Sequence, residues 1–558
     1  MANPYEVSLL QNPSKKNSSL AKIILALALS FAVLLGIIGY FATNDYVNFN
    51  TNSPISLTPR QVCDNAHEPF SCLAMVTEVA SRGSLQRGEM GPLQAMLGKS
   101  MAHIENAMKT ASDVSRRIND RKHQEAVDVC VDLLDISMDR LSDSIESLGN
   151  GKLSSYHDAH AWLSGVLTNY ITCLDGLDGP ARSIMENGLN DLIARGRATL
   201  AMLVALSPKQ QSEHDHFLEI ITDKFPTWVT SKDRKLLEAG LEAVTPNVVV
   251  AKDGSGKFKT VSEAVAAAPD NSKTRYVIYV KKGTYKENVQ IGKKKKNIML
   301  MGDGMASTVI TGSLNFIDGT TTFKSATVAV DGDGFMAQDI WFQNSAGPQK
   351  HQAVALRVSS DQAVINRCQI DAYQDTLYAH TLRQFYRDCQ ITGTVDFIFG
   401  NAAVVFQNCQ IVARKPMANQ FNAVTAQGRE DPNQPTGTSL QNCQIVSSPD
   451  LKPVKGSFKS YLGRPWKNYS RTAVMQSFIE DHIDPSGWVL WDQYTNTKAV
   501  YYGEYSNKGP GAGTGKRVKW PGFHVITNVA EARQFTVAEL IQGTEWLQST
   551  GVTFADGL

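Results

Sequence analysis

The apolar positions of the chain follow two different periods. From about Gln61 to Lys232 they recur every three or four residues, as along one side of a helix. One such stripe consists of Leu134, Met138, Leu141, Ile145 and Leu148. This half of the chain therefore predicts an all-α helix bundle, and no catalytic set of residues stands out in it.

After Leu237 the pattern changes to short β-rich runs between Gly, Asn and Asp residues, as in Tyr276–Val280 and Val328–Val330. Four Cys-Gln-Ile triplets recur there at intervals of 21, 20 and 34 residues, and they begin at Cys368, Cys389, Cys409 and Cys443. A repeat of about 20 residues indicates a solenoid in which each coil rests on the last. The runs are too short and too regular for alternating strands and helices, so this half predicts a right-handed parallel β-helix, an all-β solenoid.

The same repeat brings polar residues into one column. Asp375 and Asp396 each follow a triplet cysteine by seven residues, and Gln352 precedes Gln374 by 22 residues. Residues one coil apart stack at the spacing of neighbouring strands, about 4.7 to 4.9 Å. We therefore expect these four side chains to meet across three successive coils.

A column of this composition can support acyl chemistry. When two carboxyl groups lie close together, one pKa rises and the other stays low, which supplies an acid and a nucleophile. The amides of Gln352 and Gln374 can stabilise an oxyanion without titrating. Downstream, Arg464 can hold one carboxylate ionised, and the indole of Trp466 can lie against a sugar ring.

Charge is divided unevenly between the halves. Residues 1–240 carry 22 Lys and Arg against 27 Asp and Glu, whereas residues 241–558 carry 33 against 27, within a chain of net charge +1. A basic second half suits a polyanionic partner. Nucleic acid is excluded as that partner, because the sequence has no zinc-finger spacing, no helix-turn-helix pattern and no alternation of aromatic and basic residues.

The N-terminus predicts entry into the secretory pathway. Residues 23–42 form an uncharged apolar stretch after Lys15, Lys16 and Lys22. Its length suits a transmembrane signal-anchor behind a cytosolic tail of residues 1–22, and a cleaved signal peptide is the alternative. The sequence leaves open which of the two applies.

Eight cysteines in an oxidising compartment predict disulfides. Cys63 and Cys72 are close enough to pin a hairpin, which leaves Cys130 and Cys173 to join two helices. Cys389 and Cys409 occupy the same phase on adjacent coils, within the Cα separation that a disulfide requires, so a third bridge is expected there. Cys368 and Cys443 are left undecided between bridged and free.

Five segments of the second half, in order, resemble signatures of the plant-type pectin methylesterases, also called pectinesterases. They are Gly283 to Glu287, Gln352 to Leu356, Gln374 to Leu377, Asp396 to Gly400, and Leu462 to Trp466. The resemblance covers roughly residues 245–558 and implies a parallel β-helix that hydrolyses the methyl esters of pectin to release methanol. It implies no metal and no organic cofactor.

Carried over by position, the resemblance implies a role for each residue of the column. Asp396 is the nucleophile, Asp375 the general acid and then base, and Gln374 and Gln352 stabilise the oxyanion. Arg464 and Trp466 bind the substrate and orient Asp396. Thr322 stands where the family has a threonine that contacts the substrate. One departure is Asp331, where an apolar residue is expected before Gly332.

The helical half resembles the pectin methylesterase inhibitor domain that precedes the enzyme in many members of the family. This implies a four-helix bundle within residues 43–237, followed by the enzyme at 238–558. It also implies an intramolecular inhibitor that a protease releases near Arg234–Leu237. Asn468 begins a glycosylation sequon, whose occupancy the sequence leaves open.

Three other readings compete with an esterase. A pectate lyase would need a cluster of acidic calcium ligands, and a polygalacturonase would leave the two glutamines without a role. A catalytically inactive pectin-binding or inhibitor protein would not need the intact set of acid, nucleophile, amides and arginine. Tyr378, Phe399 and Trp488 can be walls of a sugar groove or packing residues, and the sequence does not choose between these roles.

Overall fold

The computed structural model describes residues 55–80, 83–207 and 245–558. The predicted cytosolic tail 1–22, the apolar segment 23–42 and the predicted cleavage region 234–237 lie outside the described residues. Within the described ranges, no helix has both the length and the hydropathy to span a bilayer.

The helical region is built on four long helices: α1 (Gly91–Ser115), α2 (Arg121–Gly149), α3 (Leu153–Gly176) and α4 (Gly179–Leu206). Each packs against the next, and α1 also packs against α4, which closes a four-helix bundle. Short elements precede them at Ser56–Leu57, Pro59–Val62, Pro69–Thr77 and Leu85–Gln86. The predicted stripe lies on α2 and turns into the bundle core, where Leu134, Leu141 and Leu148 are buried.

Two disulfides tie the helical region together, as predicted. Cys63 is bonded to Cys72 of the helix Pro69–Thr77, and Cys130 of α2 is bonded to Cys173 of α3. The second bridge joins two neighbouring helices across 43 residues of sequence. It therefore removes much of the chain freedom of the unfolded α2–α3 hairpin.

Beyond residue 245 the described chain winds through three parallel sheets, so the predicted β-helix is confirmed. Eleven strands form the first sheet: Val248–Val250, Tyr276–Val280, Ile298–Gly302, Met336–Gln338, Ala363–Asn366, Arg383–Arg387, Ala403–Gln407, Gly437–Gln441, Arg471–Met475, Tyr501–Tyr505 and Phe523–Val525. Eight form the second: Gly283–Lys286, Thr308–Gly312, Trp341–Asn344, Gln369–Asp371, Gln390–Gly393, Gln410–Ala413, Gln444–Ser447 and Phe478–Ile479. Seven form the third: Val289–Ile291, Val328–Val330, Leu356–Val358, Leu377–Ala379, Ile398–Gly400, Asn422–Gln427 and Ser460–Gly463.

Alternation along each strand separates the core from the outer surface. In the seven-stranded sheet, Leu356, Leu377 and Ile398 pair in register and point into the solenoid, where they are buried. The intervening residues Arg357, Tyr378 and Phe399 also pair in register. These three residues lie on the outer face of the sheet, and the functional site is built on that face.

Helices and short turns complete the β-helix. The helix Val261–Ala267 packs on the first coils, and Val537–Ile541 packs on the eleven-stranded sheet. Further helices and 3₁₀ turns lie at Val529–Arg533, Gly543–Trp546, Pro348–Lys350, Lys452–Ser457 and Leu547–Thr550.

The predicted Cys389–Cys409 disulfide is wrong. The four triplet cysteines do stack, because the strands that follow them pair in register, but all four are free and buried thiols. In such a ladder the Cα–Cβ bonds run parallel, whereas a disulfide needs the two Cβ atoms to converge. Each thiol instead donates to backbone oxygens, as Cys389 Sγ does to Ile365 O at 3.3 Å. Cys368 and Cys443, left undecided above, are free as well.

The unexpected Asp331 has a structural role on the outer face. Its carboxylate accepts hydrogen bonds from Arg357 Nη1 at 2.7 Å and from Gln290 Nε2 at 2.8 Å. Arg357 is almost fully buried, and its guanidinium lies 3.7 Å from the centre of the Phe323 ring. Asp331 thus neutralises a buried cation, which an apolar residue could not do.

Helices α2 and α3 cover the outer face of the seven-stranded sheet. The apolar core of the bundle is continuous with Phe323, Tyr378 and Phe399 of the β-helix. Helix α3 comes close to the β-helix at Gly165, where an added Cβ would lie 2.9 Å from Leu382 Cδ2. The two regions therefore form one packed unit within residues 57–558.

Candidate active site

The backbone of successive coils places the predicted column. Asp375 N–H donates to Val395 O at 3.0 Å, and Ala353 N–H donates to Gln374 O at 3.2 Å, so three coils are joined at this level. Asp375 and Asp396 precede neighbouring strands of the seven-stranded sheet and adopt left-handed backbone conformations, with φ of +63° and +51°. Asp388, Asn408 and Asn442, each directly before a triplet cysteine, share this conformation, so it belongs to the repeated turns of the solenoid.

Arg464 holds Asp396 by a two-pronged ion pair. Its Nε donates to Asp396 Oδ1 at 2.7 Å and its Nη2 to Oδ2 at 2.6 Å. The guanidinium lies 4.1 Å from the ring centre of Trp491 and 5.3 Å from that of Phe421. Both oxygens of Asp396 are thereby fixed in direction, and Arg464 is itself held by the two rings.

The two carboxyl groups differ in their electrostatic surroundings. Burial raises the pKa of Asp375 well above its ordinary value, and the nearby Asp396 raises it further against a weaker opposing effect of Arg464. Burial also raises the pKa of Asp396, but the hydrogen bonds and charge of Arg464 oppose that rise. Asp375 is therefore the group that holds a proton, and Asp396 is the one that ionises.

The two glutamines line the same cavity as the carboxyl groups. Gln374 Oε1 is buried and has no hydrogen-bond partner in the part of the chain that the structure describes. A buried amide with an unused polar atom beside a cavity is available to a bound molecule. The structure thus brings Gln352, Gln374, Asp375 and Asp396 together as the sequence predicted.

Aromatic side chains form one wall of the cavity. Tyr378 and Phe399 stack with ring centres 4.1 Å apart, and Trp466 meets Phe399 at 6.1 Å. Trp466 lies so close to Gly428 that an added Cβ would be 2.8 Å from its ring. Trp488, in contrast, is buried in the solenoid and donates to Glu504 at 3.1 Å, so it packs and does not line the site.

The site also contains a residue that the sequence did not reveal. Trp491 lines the cavity next to Arg464, from a loop outside the repeat that aligned the column. Thr322, expected from the resemblance, also lines the cavity, as does its neighbour Phe323. Only the resemblance pointed to Thr322, because its run of threonines has no period.

Part of the cavity wall comes from the helical region. The cavity measures about 480 Å³, and its lining includes the partly exposed rings of Phe316 and Trp491. Besides the β-helix residues, it is lined by residues of α2, α3 and the turn between α3 and α4: Lys122, Ala126, Val129, Thr172, Asp175, Gly176, Leu177 and Asp178. The bundle therefore lies over the column of Gln352, Gln374, Asp375 and Asp396.

Polar contacts fasten the bundle around the cavity. Asp175 accepts from Lys467, the neighbour of Trp466, at 2.7 Å. Thr172 Oγ1 lies 2.9 Å from Nε2 of the buried His380, and burial holds the pKa of that imidazole well below its usual range. Thr321 N–H, beside Thr322, donates to Glu125 Oε2 at 3.0 Å.

Comparisons with known proteins match both regions. A family model described as "Pectinesterase" covers residues 247–544, and one described as "Plant invertase/pectin methylesterase inhibitor" covers residues 58–202. The chain is 56% identical over 551 residues to "Pectinesterase/pectinesterase inhibitor 18" of Arabidopsis thaliana, which covers 97% of this chain and 98% of that protein. It is 55% identical over 518 residues to "Pectinesterase/pectinesterase inhibitor" of Ficus pumila var. awkeotsang, covering 92% and 94%.

The chain belongs to the pectinesterase family. Among solved structures, the pectin methylesterase from carrot matches with 61% identity and a TM-score of 0.56, over 56% of this chain and 99% of that chain. The matched 56% of this chain is about the length of the β-helix region, so the carrot structure is a folded chain of that size with no helical region attached. The present pectinesterase is a carboxylic ester hydrolase of pectin with an inhibitor-type bundle at its N-terminal side.

Proposed function

We propose that Asp396 is the nucleophile of this pectinesterase and Asp375 its general acid and base. The observation that carries this assignment is the asymmetry of the pair, because Arg464 binds both oxygens of Asp396 while burial keeps the proton on Asp375. A nucleophile must be ionised and a general acid must be protonated at the same pH.

The reaction then proceeds in two halves. Asp396 attacks the carbonyl carbon of the methyl ester, and the oxyanion lies against the amides of Gln352 and Gln374. The bond to the methoxy group breaks, and Asp375 gives it a proton, so methanol leaves. Water next attacks the acyl-enzyme and yields its proton to Asp375, which releases the galacturonic acid and restores Asp396 as a carboxylate.

Arg464, Trp466 and Thr322 are assigned to the substrate. Trp466 offers an indole face beside Phe399 against which a sugar ring can stack, and Thr322 lines the same cavity. Arg464 serves the substrate by fixing the direction in which Asp396 attacks.

Asp396→Asn tests the assignment. This change keeps the shape of the side chain but removes the nucleophile, so methanol release from methylated pectin should fall by about 10³-fold or more. Asp481→Asn, at an exposed carboxylate paired with Lys455, is the matched control and should keep its activity. Unchanged methanol release in Asp396→Asn would exclude Asp396, and a loss of polymer length in the parent enzyme would indicate a lyase or glycosidase.

The helical region acts as the intramolecular inhibitor of the enzyme. Support comes from the position of α2 and α3, whose side chains form part of the wall of the catalytic cavity. A pectin chain has to lie along the outer face of the seven-stranded sheet, and the bundle covers that face. The intact chain is therefore silent until the bundle leaves.

Two glycines of the bundle allow a controlled test. Gly165→Leu inserts a side chain between α3 and Leu382, whereas Gly188→Leu, on α4, places the same side chain in open space. Because both changes replace a helical glycine with leucine, they affect helix stability alike. Intact Gly165→Leu should gain methanol release over Gly188→Leu, and equal activity of the two would refute the inhibitory role.

The remaining assignments concern the secretion and the proteolytic processing of the protein. The segment 23–42 directs it into the secretory pathway, residues 43–237 are the pro-region, and a protease near Arg234–Leu237 frees the enzyme 238–558 in the cell wall. The cleavage region follows α4, which ends at Leu206, and precedes the first strand of the β-helix, which begins at Val248. The N-terminal residue of the secreted enzyme, read by Edman degradation or mass spectrometry, tests it. An N-terminus before residue 207 on active enzyme would contradict it.

A further inference from the structure

Helix α2 presents a row of carboxylates to the β-helix. Asp132, Asp135 and Asp139 are spaced by three and four residues, which places them on one face of the helix. Asp132 pairs with Lys324 at 2.9 Å, and Asp135 and Asp139 both pair with Lys293, at 2.6 and 2.7 Å. Three acidic residues thus meet two lysines at the docked surface.

These lysines border a space that continues the catalytic cavity. A second cavity of about 330 Å³ lies between α2 and the β-helix, and its lining includes Lys293, Lys324, Arg357 and Phe323. Phe323 also lines the catalytic cavity, so the two spaces adjoin on the same face of the seven-stranded sheet. A polymer that places one unit at Asp396 and runs toward the first coils would pass both lysines.

The charge of this surface is positive once the bundle is removed. The Asp331 carboxylate is already paired with Arg357, which also belongs to the β-helix. Asp333 pairs with Arg140 of α2 and also with Lys296 of the β-helix, at 3.9 Å, so it keeps Lys296 when the bundle leaves. Across the described residues, the ion pairs of Lys293 and Lys324 are all made to carboxylates of α2. Departure of the bundle therefore leaves two ammonium groups without counter-ions beside the groove.

We infer that Lys293 and Lys324 form a subsite for free galacturonate carboxylates of a partly de-esterified pectin chain whose next methyl ester lies at Asp396. The acidic face of α2 occupies the place that the polymer takes in the free enzyme. Lysine suits this role because its compact charge binds a carboxylate without demanding one geometry. The inference rests on the proposed function and names the form of substrate that this enzyme recognises.

The double variant Lys293→Ala/Lys324→Ala in the β-helix fragment 245–558 tests the subsite. The probe is unesterified polygalacturonate, whose binding is measured by calorimetry at several salt concentrations. Two exposed ion pairs predict about five- to tenfold weaker binding and a shallower dependence on salt. The rate of methanol release from saturating, fully methylated oligomers should change by less than about twofold, because those oligomers offer no free carboxylate.

Lys286→Ala/Lys508→Ala is the matched control. It removes the same charge from exposed lysines beside the eight-stranded sheet, and neither lysine lines either cavity. Equal polygalacturonate binding by the two double variants would overturn the subsite. The subsite would also be overturned if Lys293→Ala/Lys324→Ala weakened only the binding of added helical region and left polygalacturonate binding unchanged. If the unmodified fragment releases no methanol at all, the proposed function fails instead, so the two failures can be told apart.

Discussion

The two regions of the molecule use their cysteines in opposite ways. In the bundle all four described cysteines are joined in two disulfides, whereas in the β-helix all four are buried as free thiols. A four-helix bundle has few contacts between distant parts of its chain, so cross-links add much to its stability. A β-helix joins every coil to the next by a backbone ladder and needs none.

The same difference separates their functions. The ladder fixes the side chains of successive coils in rows, and such a row can hold Gln374, Asp375 and Asp396 within one site. The bundle contributes shape and charge to the docked surface, through α2 and α3, and brings no catalytic group. Under the proposed function, chemistry belongs to the region whose backbone is fixed by its neighbours, and control belongs to the helical region that covers the site.

The largest expected effect is on catalysis by the β-helix. Asp375→Asn in the fragment 245–558 should lower methanol release by about 10³-fold, because Asn can neither give nor take the proton. Asp481→Asn serves again as control, and an unaltered rate in Asp375→Asn would remove this residue from the mechanism.

The same change in the intact chain should make that chain more stable at high pH. A carboxyl group whose folded pKa is raised stabilises the fold fully below its unfolded pKa, and this contribution is lost as the pH rises through the folded pKa. Asn does not titrate, so the melting temperature of Asp375→Asn should exceed that of the parent by a margin that grows with pH. A margin that shrinks with rising pH would contradict the raised pKa of Asp375.

The next effect concerns the stability of the bundle. A reductant that opens Cys130–Cys173, a bridge across 43 residues, should lower the free energy of unfolding of the helical region by about 3 kcal/mol. The β-helix fragment should unfold at the same denaturant concentration with and without reductant. If reductant destabilised the fragment as much as the bundle, the contrast between the regions would be wrong.

A smaller effect is expected at Trp491. Trp491→Ala removes the ring beside the Arg464 guanidinium, so Asp396 is held less firmly and methanol release should fall by about tenfold. Tyr494→Ala, at a strongly exposed ring of the same loop, is the control and should have no effect. A fall of the same size in both variants would assign the effect to the loop as a whole.

The smallest signal is a count of thiols. In the native chain none of the four buried thiols should react with a maleimide, and after unfolding without reductant all four should. A bridge between Cys389 and Cys409 would leave only Cys368 and Cys443 reactive. Mass spectrometry of the labelled chain distinguishes these results.

The sequence predicted the column well because the length of the repeat determines which residues stack on successive coils. Once a coil length is known, residues one coil apart must stack, and that places Gln352, Gln374, Asp375 and Asp396 together. The same reasoning failed for Cys389 and Cys409, because stacking sets the distance between Cα atoms and not the direction of the side chains.

Features outside the repeat could not be found in this way. Trp491 reaches the site from an irregular loop, and the docking of α2 and α3 depends on the shapes of two surfaces. The acidic residues Asp132, Asp135 and Asp139 contribute to the net negative charge of the first half, but nothing in their spacing indicates Lys293 and Lys324 as their partners. Ion pairs between distant parts of the chain depend on how the two surfaces pack together.

The most direct test of the central claim compares methanol release from methylated pectin by the intact chain and by the fragment 245–558 at equal concentration. If the bundle covers the column of Asp375 and Asp396, the fragment should be faster by about 100-fold, because the tethered bundle is present at high effective concentration. Equal rates for the intact chain and the fragment would contradict the account.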